Sequence, residues 1–68
     1  MKLVYYKDES VNEPFLVLDE TEDSYVLGLR EYPDVEQDEY TPKSDVIEIQ
    51  EGTKEYAIAS QIIENLLN

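Results

Sequence analysis

FLVLDETEDSYVLGLR, residues 15 to 30, decides how this 68-residue chain folds. FLVL at 15–18 is apolar, partly β-branched or aromatic, and too short to show a helical period, so it predicts a strand over 15–19. DETEDS at 19–24 is a charged turn. Beyond it Tyr25, Leu27 and Leu29 alternate with Val26, Gly28 and Arg30, the two-residue period of a half-buried strand over 24–30. The two runs predict a β-hairpin, and Gly28 inside the second suggests a bend or bulge where a small sheet curls.

Working towards the amino terminus, KLVYY predicts a strand over 2–6, with Leu3 and Tyr5 on one face and Val4 and Tyr6 on the other. The polar connection KDESVNEP follows, ending at Pro14, which has no backbone donor. Towards the carboxy terminus, the acidic loop of 31–44 leads through TPKS to DVIEIQ, a strand over 45–49 in which Ile47 and Ile49 oppose Val46 and Glu48. After Gly52 the period becomes helical over 53–67. Tyr56, Ile58, Ala59, Ile62, Ile63, Leu66 and Leu67 occupy about half the circumference, Thr53 is placed to cap the first turn, and Glu55 suits the positive end of the helix.

The implied fold is α+β, mostly β: one domain over 1–68, a curled four-stranded antiparallel meander of the SH3-like small-barrel type, with a carboxy-terminal helix across one opening. The candidate core comprises Leu3, Tyr5, Phe15, Val17, Leu27, Leu29, Val46 or Ile47, Ile49, Ile58, Ala59, Ile62, Ile63 and Leu66. A chain of this length buries only about 60% of its unfolded surface, which leaves little for an enclosed cavity. The helix's apolar arc is wider than one sheet face needs; a monomer is the expectation, with a helix-mediated homodimer as the alternative.

Histidine and cysteine are both absent, which removes disulfides, thiolate zinc sites, cysteine nucleophiles and histidine-activated serines. No enzyme activity and no cofactor are expected. Asp34, Glu36 and Asp38 alternate like the acids that open a calcium loop. Such a loop needs glycine at its sixth position and glutamate at its twelfth, and counting from Asp34 these hold Glu39 and Asp45, so no metal is expected. The amino-terminal apolar run is too short for a signal peptide or a membrane span, and a cytoplasmic setting is the expectation.

The net charge is −12, from 17 acids against 5 bases. It disfavours nucleic-acid phosphate and anionic membranes and favours a protein partner with a basic surface. The candidate contact residues are Tyr32, Asp34, Glu36, Asp38, Glu39 and Tyr40 in REYPDVEQDEY (30–40), and Asp19, Glu20, Glu22 and Asp23 in the hairpin turn. Tyrosine contributes a rigid apolar body with a polar tip to interfaces. The expected function is a non-catalytic acidic interaction module.

The alternative is a DNA mimic, an inhibitor of a nucleic-acid-binding protein like those of phages and mobile elements, which the chain resembles in size and charge only. A third reading, a structural domain whose acidity serves solubility, remains open.

Parity adds a geometric alternative within 30–40. If extended, Tyr32, Asp34, Glu36, Asp38 and Tyr40 line one face, with carboxylates about 6.8 Å apart. If the segment turns back, Tyr32 and Tyr40 meet across the base of a mobile acidic loop, and Pro33 favours this geometry.

One prediction follows from charge alone. If the acids form a dense patch, their mutual repulsion makes the thermal midpoint rise between about 0.01 M and 1 M NaCl, as the Debye length falls from about 30 Å to about 3 Å; a flat midpoint would mean that the charges are dispersed.

Overall fold

The computed structural model describes residues 1–9 and 12–68; of the KDESVNEP connection, Ser10 and Val11 lie outside the described residues. The strands are β1 (Leu3–Tyr6), β2 (Phe15–Glu20), β3 (Ser24–Leu27), β4 (Thr41–Pro42) and β5 (Val46–Glu48), followed by helix α1 (Lys54–Leu67). They form one antiparallel five-stranded sheet in the order β4-β3-β2-β1-β5. The class is α+β, mostly β, but the four-stranded count is corrected to five. The added strand, Thr41–Pro42, is too short to show a period and carries a proline, which a sheet tolerates at its edge.

The strand expected over 24–30 ends at Leu27; Gly28 instead makes an isolated bridge to Glu36. The irregularity foreseen at Gly28 falls on the partner strand, where the β2–β3 register shifts between Val17 and Asp19.

Both faces of the sheet carry apolar clusters. Leu3 lies opposite Leu16, and Tyr5 opposite Ile47, on the helix side; Val4 opposite Phe15, and Tyr6 opposite Val46, on the other. On the face away from α1, Val4, Phe15, Tyr25, Leu27 and Val46 pack together, with Tyr6 set edge-on to Phe15 at 5.3 Å between ring centroids. Against α1, Leu3 and Ile49 pack on Ala59 and Ile63, flanked by Tyr5, Leu16 and Tyr56. Leu3 and Val4 are both fully buried, so β1 is covered on both sides.

Several core expectations are corrected. Val4 belongs to the core; of the alternatives Val46 and Ile47 it is Val46 that is buried; and Leu29, Ile58, Ile62 and Leu66 stand exposed. The reason is that α1 meets the sheet along only a narrow strip, centred on Ala59 and Ile63. Its first turn is fastened by Thr53, whose Oγ1 accepts from the Tyr56 amide at 3.1 Å, and by the Tyr56 hydroxyl, which donates to the Met1 carbonyl at 2.6 Å. No helix among the described residues is long and apolar enough to cross a membrane.

The acidic segment after β3 folds back at once. The Val35 amide donates to Tyr32 O at 2.9 Å, Leu29 N to Val35 O at 2.7 Å, and Gln37 N to Leu27 O at 2.9 Å, which closes a short hairpin over 27–37. Pro33, within its turn, is fully buried against Gly28. Tyr32 and Tyr40 are 62% and 63% exposed, so the tyrosine-pinned base is corrected to a proline-on-glycine contact. A Cβ on Gly28 would lie 2.6 Å from the Pro33 carbonyl carbon, so Gly28→Ala must displace backbone. We expect a loss of about 1–3 kcal/mol in urea denaturation, against about 0.5 kcal/mol or less for Tyr32→Ala or Tyr40→Ala; a neutral Gly28→Ala would contradict this packing.

Candidate functional site

The two groups of candidate acids lie at opposite ends of β3, about 10 Å apart along the strand. At its start, the turn 21–23 is closed by Thr21 N donating to Ser24 O at 2.9 Å and Ser24 N donating to Thr21 Oγ1 at 3.1 Å. Glu22 and Asp23 are exposed there. Asp19 Oδ1 accepts from the Glu20 amide at 2.8 Å.

Glu20 has a different task. Its two carboxylate oxygens accept from Lys2 Nζ at 2.9 Å and Lys43 Nζ at 2.8 Å. Both ammonium groups also lie over the Tyr25 ring, 5.6 and 5.1 Å from its centroid. This clamp joins the residue before β1, the end of β2 and the turn after β4, so Glu20 has a role within the fold. Lys2 and Lys43 gave no signal of this in the sequence, because each lies far along the chain from Glu20 and the pairing follows from strand order.

At the far end of β3, the hairpin turn prevents one extended row of Asp34, Glu36 and Asp38. Asp34 sits in the turn spanned by Tyr32 and Val35, whereas Glu36 is in the bridge to Gly28. Among the described residues no group of three or more acids is placed to hold a metal ion.

What the fold-back does create is an open depression of about 560 Å³ lined by Leu29, Val35, Glu36, Gln37, Asp38 and Glu39. Leu29 and Val35, 39% and 48% exposed, supply an apolar floor, and Glu36, Asp38 and Glu39 its acidic rim. Gln37 is structural, its Nε2 donating to Gly28 O at 2.9 Å. Leu29 and Val35 are the site residues that sequence reasoning missed. Leu29 was placed in the core, and Val35, alone among acids, was the available signal.

Of the 17 acids, Glu20 and Glu13 form ion pairs among the described residues, the latter with Arg30. Among the described residues no other acid lies within ion-pair distance of a lysine or arginine.

No family model matches the chain, and comparison with curated proteins and with solved structures likewise returns no match.

The clamp has a pH signature. The hydrogen bonds from Lys43 and then Lys2 hold the Glu20 carboxyl down at about 2, from an ordinary 4.5. A depressed acid adds stability that is present above its unfolded pKa and lost as pH falls through its folded one, here between about 4.5 and 2. NMR titration of side-chain carboxyls should give Glu20 a midpoint near 2, moving upward in Lys43→Ala; an ordinary midpoint in the unaltered protein would show that the clamp does not form in solution.

Proposed function

We propose that this protein is a non-catalytic interaction module of the cytoplasm that takes a basic segment of a partner protein into the acidic depression beside the 27–37 hairpin. The observation carrying the reading is the combination of an exposed apolar floor, Leu29 and Val35, with the three rim acids Glu36, Asp38 and Glu39. Lysine and arginine have this same duality, an apolar stem and a charged head. Stems lying on the floor would bring their heads to the rim, and Tyr32 and Tyr40 provide exposed aromatic surface on the same connection.

The curl of the sheet is read as that of an SH3-like small barrel with five strands. Its two edge strands, β4 and β5, are consecutive in the chain and joined by the 3₁₀ turn Lys43–Asp45. That resemblance of shape assigns no activity. The DNA-mimic alternative draws no support from a phosphate-like row, since the turn at Tyr32–Val35 breaks the alternation it requires.

The test uses a flexible peptide of alternating glycine and arginine, titrated into the labelled protein. We expect saturable, salt-sensitive shifts at Leu29 and Val35. The triple variant Glu36→Gln, Asp38→Asn, Glu39→Gln should bind on the order of tenfold more weakly, since exposed charge pairs contribute about 0.2–1 kcal/mol each. Its unfolding midpoint should be no lower than that of the unaltered chain. Unchanged affinity in the triple variant would remove the depression from the account.

A further inference from the structure

A second surface, sharing no residue with that depression, lies along α1. Ile58, Ile62 and Leu66 recur at every fourth position and are 56%, 42% and 42% exposed, one stripe to the side of the buried Ala59 and Ile63. The stripe borders two depressions of about 180 and 430 Å³, and because Asn12, Pro14 and Ile62 line both, they form one continuous groove. Tyr5, Ile49 and Ile58 supply apolar lining at one end, and Pro14 and Leu66 at the other.

The rim is acidic. Glu55 borders the first depression, and Glu13 and Glu31 the second. The one cation on this rim among the described residues, Arg30, is already paired with Glu13. Excess negative charge therefore flanks an apolar channel that follows about two helical turns, roughly 12 Å.

From this complementarity we infer that the groove docks an amphipathic helix of a partner protein, apolar on the inserted face and bearing lysine or arginine along its flanks. Helix-in-groove recognition uses anchors spaced as this stripe is spaced. A second copy of the chain is the poorer occupant. It would bring a net charge of −12 and the same acidic rim against this one.

The probe is a synthetic helix of leucine and lysine about fourteen residues long, roughly four turns, with its leucines on one face. Its controls are the leucine–glutamate counterpart and a scrambled peptide of identical composition. Calorimetry should show saturable binding of the leucine–lysine helix alone, with amide shifts centred on Ile49, Ile58 and Ile62. Ile62→Asn and Leu66→Asn should each weaken it by about tenfold or more, as expected for losing a buried aliphatic contact. Both positions are exposed, so the fold should persist, as circular dichroism will show.

Glu55→Gln and Glu31→Gln should weaken binding and flatten its salt dependence. The rim triple variant at Glu36, Asp38 and Glu39 should bind the helix with unchanged affinity, which separates this site from the proposed basic-segment site. The inference is overturned if the scrambled or acidic peptide binds equally, if Ile62→Asn has no effect, if the triple variant abolishes binding, or if sedimentation shows the stripe buried in a dimer of the free protein.

Discussion

Tyr6 on β1 and Thr41 on β4 meet through their hydroxyls at 3.4 Å, although two strands of the sheet separate them in the pairing order. The chain keeps the edges of the sheet near one another. The two edge strands, β4 and β5, are consecutive and linked by a 3₁₀ turn of three residues. Lys7 N donating to Asp45 O at 3.1 Å and Lys43 N donating to Asp23 O at 2.9 Å draw the same turn against the ends of β1 and β3. The sheet carries an apolar cluster on each face, one of them against α1, so a small chain obtains two apolar clusters from one layer of strands.

The charge distribution follows from the strand order. Lys2 and Lys43 converge on Glu20 beside the buried Tyr25 ring, so two of the five bases are used within the fold. An exposed ion pair alone adds little. Here one carboxylate is held by two ammonium groups from distant parts of the chain, and both ammonium groups also lie over the same aromatic ring. With Arg30 paired to Glu13, most of the acidic surface is left without internal cations. The domain thus combines an internally satisfied fold with an external negative field, and the two apolar openings, beside Val35 and along Ile62, lie within that field.

The acidic segment shows how a correct local observation can acquire a different meaning in three dimensions. Every second residue from 32 to 40 does carry an acid or a tyrosine, but the alternation has no extended strand to act on because the chain reverses at Pro33. Gly28 was legible as a place where the strand could not continue unchanged. Its reason was not legible: the Pro33 carbonyl occupies the space a side chain would need. Likewise, the width of the helix's apolar arc was visible, while the division into a buried strip at Ala59 and Ile63 and an exposed stripe at Ile58, Ile62 and Leu66 depends on where the sheet lies.

By itself the sequence determined the elements and the chemistry that is missing. The apolar run over 15–18, the alternation over 24–30, the helical period after Gly52, the excess of acids and the lack of histidine and cysteine are properties of neighbouring residues or of composition, and need no partner to be expressed. The tertiary structure alone decided that Val4 is as buried as Leu3, that a two-residue strand at Thr41–Pro42 completes the sheet, that Glu20 is consumed by lysines, and that Leu29 faces an open depression. Each of these depends on which distant segments come into contact, as Tyr6 and Thr41 do across 35 positions. Periodicity specifies which residues share a face; only tertiary packing specifies what, if anything, covers it.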